Sequence, residues 1–118
     1  MNILNQNILD DYCFYLKNDL FRNTIQNLIL EYIDDEPKSK PYIYLVVIKI
    51  KKSKREKGYG SAVLSKIIKF ANKYNVQISL YATNIFGAEL QRLYKFYIKH
   101  GFVLIKNSKY GKFIYYPK

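Results

Sequence analysis

The segment Arg55-Glu56-Lys57-Gly58-Tyr59-Gly60-Ser61 joins two different patterns. Before it, Pro41 to Ile50 is rich in Ile, Leu, Val and Tyr and reads as a buried strand. After it, Val63, Leu64, Ile67, Ile68, Ala71 and Tyr74 recur at helical spacing, with Lys66, Lys69 and Lys73 opposite. A strand that runs through a glycine turn into an amphipathic helix is the feature that most restricts the fold. It also suggests a chemistry. Glycines let a backbone approach a ligand closely, and the unpaired N–H groups of a helix's first turn, at the positive end of its dipole, favour phosphate. The segment thus reads as a pyrophosphate cradle; the plainer reading is a glycine turn that only starts a helix. The dinucleotide fingerprint needs three glycines and the nucleoside triphosphate loop ends in Gly-Lys-Ser or Gly-Lys-Thr, and the segment has neither.

The elements around the segment are legible from period and punctuation. Ile8, Leu9, Tyr12, Cys13, Leu16 and Leu20 predict an amphipathic helix between Ile3 and Leu20. Thr24 to Ile33 pairs with Pro41 to Ile50 as antiparallel strands, joined loosely through Asp34 to Lys40. Gln77 to Ala82 is a short strand and Thr83 to Gly87 a loop. Leu90, Leu93, Tyr94, Tyr97 and Ile98 share a helical face, and Gly101 stands where a left-handed residue ends that helix. Phe102 to Lys106 and Lys112 to Tyr116 form a closing hairpin. The order is helix, two strands, helix, strand, helix, two strands.

Length and composition bound the function. The 118 residues fit one domain, 1–118, with one core. With one cysteine, Cys13, and one histidine, His100, the chain builds neither an internal disulfide nor a standard zinc site, so no metal is expected. No apolar run is long enough for a membrane helix and the first residues are polar and acidic, which points to the cytoplasm and away from a membrane. The net charge of +11 suits a polyanionic partner such as nucleic acid or cofactor phosphates. Lysine outnumbers arginine 17 to 3, however, which AT-rich coding also produces, and phosphate recognition usually favours arginine.

The second informative stretch is Leu93-Tyr94-Lys95-Phe96-Tyr97-Ile98-Lys99-His100-Gly101-Phe102, a helix ending in Gly-Phe. Taken with the first, it resembles the GCN5-related N-acetyltransferase (GNAT) family. That family has Gln/Arg-x-x-Gly-x-Gly/Ala after its fourth strand and a last helix commonly ending Tyr-x-x-x-Gly-Phe. Arg55, Gly58 and Gly60 fit the former; Tyr97, Gly101 and Phe102 fit the latter. The resemblance runs from Tyr42 to Tyr116. A fainter similarity points to the type V anti-CRISPR acetyltransferases.

The resemblance implies an α+β fold of three α/β/α layers, with a mixed, mostly antiparallel twisted sheet flanked by helices. It implies transfer of an acetyl group from acetyl-CoA to a primary amine by direct attack in a ternary complex. The backbone of Arg55, Glu56, Lys57, Gly58, Tyr59, Gly60 and Ser61 would hold the pyrophosphate. Ile48 and Ile50 would pair with pantetheine, amides near Ile48 would receive the thioester oxygen, and Tyr97 would protonate the departing thiolate. The resemblance implies that Asn84 would be a further cofactor contact, although it lies further ahead of Tyr97 than the family's asparagine. Glu31 and Glu89 are carboxylates available as a base, and water serves equally. Tyr94 reads as core, His100 as a dipole-complementing or solvent-facing residue, and Cys13 as a small core residue.

The chain also departs from the family. Lys52-Ser53-Lys54 stands where members carry a proline and an aromatic residue, which leaves the path of the turn open. The front end has one helix where many members have two. A protein lysine or amino terminus, on an acidic or nucleic-acid-associated protein, is favoured over a small amine. Monomer and homodimer both stay open. Two other readings compete: a basic nucleic-acid-binding module, and a CoA-binding regulator without catalysis.

Overall fold

The computed structural model describes residues 3–35, 37, 39–82, 90–106 and 111–118. Helix α1 spans Gln6–Tyr15 and continues as a π-helical turn, Leu16–Leu20. Strands β1 (Ile25–Ile33) and β2 (Tyr42–Ile50) follow, then a 3₁₀ turn at Lys52–Lys54. Helix α2 (Tyr59–Tyr74), strand β3 (Gln77–Tyr81), helix α3 (Leu90–Lys99) and strands β4 (Val103–Leu104) and β5 (Lys112–Tyr115) complete the order. The sheet order is β1-β2-β3-β5-β4, with β2 and β3 the parallel neighbours and the other neighbours antiparallel. The sequence-based order, and an α+β fold with a mixed, mostly antiparallel sheet flanked by helices, are both present.

One sheet face carries the core. Ile43 pairs with Ile78, Ile78 with Tyr115 and Leu80 with Phe113, and all five side chains are buried. The helices pack on this face rather than dividing between the two, so the described residues form two layers and not the three α/β/α layers expected. Tyr94 and Tyr97 of α3 set their rings 5.1 Å and 5.6 Å from Phe113. The Tyr115 hydroxyl donates to Asn72 of α2 at 3.0 Å. Tyr12 of α1 stacks on Phe70 of α2 at 4.2 Å and donates its hydroxyl to the Lys66 carbonyl. The connections β2-α2-β3 and β3-α3-β4 step across the sheet in the same direction, and right-handed crossovers then lay both helices on one side. The opposite face is more open, with Ile29, Val46 and Tyr81 exposed.

Three helical faces differ in detail from the periodicity. Leu20 is exposed, because the π turn, closed by Phe21 N–H to Leu16 C=O at 2.9 Å, rotates it off the face of Leu9 and Leu16. In α2, Phe70 joins Val63, Leu64, Ile67 and Ala71 in the core, while Ile68 is half-buried. In α3, Leu90 and Ile98 are exposed and Phe96 is packed in their place.

Helix α1 also covers the outer edge of β1. The Gln6 side chain accepts from Tyr32 N–H at 2.6 Å and donates to Leu30 C=O at 3.2 Å. These bonds occupy backbone groups that an edge strand otherwise offers to another chain.

Candidate functional site: a cleft where two parallel strands part

β2 and β3 pair only from Tyr42↔Gln77 to Tyr44↔Ser79. Beyond Tyr44 the strands diverge, and the cause lies in β2's pairing with β1. From Leu30↔Leu45 to Ile29↔Val47, β1 advances one residue and β2 two, so Val46 is a bulge. A bulge bends its strand and increases the local twist, which carries Val47 to Ile50 away from β3. The result is a cleft of about 570 Å³. Its walls are Leu45 to Ile50 of β2, Tyr81 of β3, and Arg92, Leu93, Phe96 and Tyr97 of α3; Arg55, Glu56 and Gly60 close one end. The volume is in the range of small-molecule sites.

The closing end is built by the basic turn. Lys54 N–H bonds Lys51 C=O at 2.8 Å, and the Arg55 side chain donates to Ile50 C=O at 3.1 Å, tying the turn to the end of β2. Glu56 and Gly58 then take left-handed conformations, with φ of +63° and +83°. Gly58 is the N-cap of α2 without a side-chain cap, and the helix's first bond is Ala62 N–H to Gly58 C=O. The amides of Tyr59, Gly60 and Ser61 therefore have no helical acceptor. A Cβ at Gly60 would stand 4.0 Å from both Ile50 and Phe96, so any longer side chain there projects into the cleft's end. Four lysines and an arginine between Lys51 and Lys57 surround the turn, and after Pro37 the only acidic residues are Glu56 and Glu89. The field at this end favours an anion.

Tyr97 is held by the end of its helix. Phe102 N–H bonds Tyr97 C=O at 3.0 Å and Gly101 N–H bonds Ile98 C=O at 3.0 Å, with Gly101 at φ +91°. This is a Schellman cap, whose left-handed position glycine fills without strain. Burial raises the Tyr97 phenol above its ordinary pKa of 10.0, so it holds its proton at neutral pH.

No protein-family profile matches the sequence, and no curated protein matches it. Solved structures do match. A GNAT-family protein from Bacteroides thetaiotaomicron superposes with TM-score 0.54 and 18% identity, covering 93% of this chain and 70% of that one. The anti-CRISPR protein AcrVA5 gives TM-score 0.56 and 15% identity, covering 75% of this chain and 88% of that one. AtaTR bound with acetyl-CoA gives 0.57 and 14%, covering 75% of this chain and 55% of that one, so this chain matches little more than half its length. The chain has the GNAT fold.

Within this GNAT fold, Ile48, Ile50, Arg55, Glu56, Gly60 and Tyr97 meet around the cleft, and Lys57, Gly58, Tyr59 and Ser61 build the turn behind its end. Asn84 and Glu89 lie outside the described residues. Glu31 is exposed on β1 opposite Tyr44 and is not part of the cleft wall. His100 departs from expectation. Its ring is half-buried against Phe96 at 4.9 Å, and its Nε2 lies 2.7 Å from the Ser61 hydroxyl, because the last turn of α3 abuts the first turn of α2. Sequence reading missed Arg92, Leu93 and Phe96 in the wall. Their signal was the four-residue spacing of Arg92 to Phe96 and Leu93 to Tyr97, which places them above one another on α3.

Proposed function

We propose that the chain is an N-acetyltransferase that moves the acetyl group of acetyl-CoA to a primary amine. The observation that carries this reading is the parting of β2 from β3 at the Val46 bulge, next to an uncapped helix N-terminus. From Leu45 to Ile48, β2 has no ladder pairing with β3, and an amide-bearing chain such as pantetheine would fit along that edge. The amides of Tyr59, Gly60 and Ser61, with the surrounding lysines and Arg55, suit a diphosphate.

The residues divide the chemistry as follows. The amine nitrogen attacks the thioester carbonyl, an N–C bond forms and the C–S bond breaks. Amides of β2 near Ile48 donate to the carbonyl oxygen as it gains charge. Tyr97, whose phenol is protonated at neutral pH and whose pKa burial raises further, gives its proton to the departing thiolate. The amine's surplus proton passes to solvent. Among the described residues Glu56 is the carboxylate of the cleft wall, and it stands at the anion end. A protein lysine or amino terminus is the favoured acceptor.

The test is thermal unfolding with acetyl-CoA, CoA and an unrelated nucleotide, on the native chain and a Gly60→Glu variant. Ligand at a hundred times its Kd stabilises by about 2.7 kcal/mol, a shift of ten degrees or more for a small domain. Selective stabilisation by the two CoA species, lost in Gly60→Glu, supports the reading. No stabilisation of the native chain at millimolar concentration overturns it.

A further inference from the structure

Ser61 and His100 are 39 positions apart, yet their Oγ and Nε2 atoms meet at 2.7 Å. Ser61 is the third residue of α2, inside the turn whose amides lack helical acceptors. A serine hydroxyl has one proton to donate. When Nε2 is bare, that proton is directed at the ring, and only lone pairs remain for any anion in front of the turn. When Nε2 carries a proton, in the neutral Nε2–H tautomer or in the imidazolium, the ring donates to Ser61 Oγ and the hydroxyl proton is released to the anion.

We propose that His100 is a positioning residue: as an imidazolium, which donates from Nε2 whichever tautomer the neutral ring takes, it holds the Ser61 hydroxyl as a donor to an anion bound at the first turn of α2, coupling anion binding to proton uptake. This rests on reading that turn as the diphosphate end of the cleft. Three features of the structure support it. The Phe96 ring, 4.9 Å from the imidazole, fixes its orientation from α3. The charged group acting on the ring among the described residues is Lys99, one position before it, and the group facing it from α2 is Ser61. Burial and then Lys99 lower the imidazole's pKa from 6.5, so it is neutral at pH 7 in the empty protein and protonates there only when a nearby anion more than offsets both effects.

His100 is the chain's only histidine, so the imidazole signals of ¹³C-histidine-labelled protein report on it alone. The experiment titrates these signals from about pH 4.5 to about pH 8.5, without ligand, with saturating CoA and with inorganic pyrophosphate, for the native chain and Ser61→Ala. Calorimetry measures occupancy separately. This separation is needed because a phosphate monoester such as that of CoA also titrates near pH 6 and would cloud a plain affinity profile. CoA should raise the native midpoint by about one pH unit or more, as an opposite charge at this range does. Ser61→Ala, brought to saturation at higher concentration, should show a smaller rise, because it keeps the through-space effect of the anion's charge and loses the part carried by the hydroxyl. An unmoved midpoint at full occupancy overturns the coupling, as does a rise of equal size in Ser61→Ala. Absence of CoA binding by calorimetry defeats the acetyl-CoA reading instead; a shift with pyrophosphate then upholds the coupling for anions alone, and no response to either ligand overturns both.

Discussion

Phe102 donates its backbone N–H to the carbonyl of Tyr97 at 3.0 Å while the two rings meet at 5.6 Å, so one motif both ends α3 and sets the cleft's phenol. The Tyr-x-x-x-Gly-Phe spacing is what a Schellman cap requires, with its hydrophobic contact between the third-last helical residue and the residue after the glycine. Gly101 is the hinge of this arrangement at φ +91°. Gly101→Ala is expected to cost about 1–2 kcal/mol, the penalty for an L-residue in a left-handed conformation. Denaturant unfolding checks it; an unchanged midpoint would mean that the cap does not hold in solution.

Tyr97→Phe keeps the ring packing against Phe102 and Phe113 and removes only the proton. Turnover of acetyl-CoA should fall about a hundredfold, the lower range for a general acid. Acetyl-CoA affinity should stay close to that of the native chain. Equal loss in affinity and turnover would assign Tyr97 to binding.

Gln6→Ala removes the bonds to Leu30 C=O and Tyr32 N–H on the outer edge of β1. A loss of about 1–2 kcal/mol is expected for these bonds, together with a greater tendency to self-associate through the uncovered edge. Urea unfolding and concentration-dependent light scattering measure the two effects. A variant as stable and as monodisperse as the native chain would mean that α1 does not protect the edge.

Stability should fall at alkaline pH. Burial pushes the Tyr12 phenol from 10.0 up to about 12 and the Cys13 thiol from 9.0 up to about 11, with the charge of Tyr15 adding to the first and that of Asp10 to the second. Both groups keep their protons in the folded chain where the unfolded chain has lost them. Their contribution is therefore complete below pH 9.0 and is lost as pH rises towards about 12. Tyr12→Phe should flatten this decline while giving up the hydrogen bond to Lys66 C=O. Cys13 should react with thiol reagents at pH 8 much faster in urea than in the folded protein, since the thiolate is the nucleophile. Equal rates would contradict its burial.

Much of the site was legible because its parts are local. The turn from Arg55 to Ser61 declares itself through two glycines between a strand and a helix, and the end of α3 through Gly101. Facets of helices were less secure. Period places Leu20 and Ile98 on apolar faces, but a π turn rotates the first outward and the second is left exposed where α3 packs through Leu93, Tyr94, Phe96 and Tyr97. His100 looked like a helix-end residue because nothing near it in sequence announces Ser61.

The sequence by itself determined the order of elements, the glycine turn and the phenol near a helix end, since these depend on neighbours a few positions apart. Only the tertiary structure decided where β2 leaves β3, which side of the sheet the helices share, and that His100 meets Ser61. Those depend on pairing register and on side chains that come together across the fold: one extra residue at Val46 opens the cleft, and no local pattern of hydrophobicity records it.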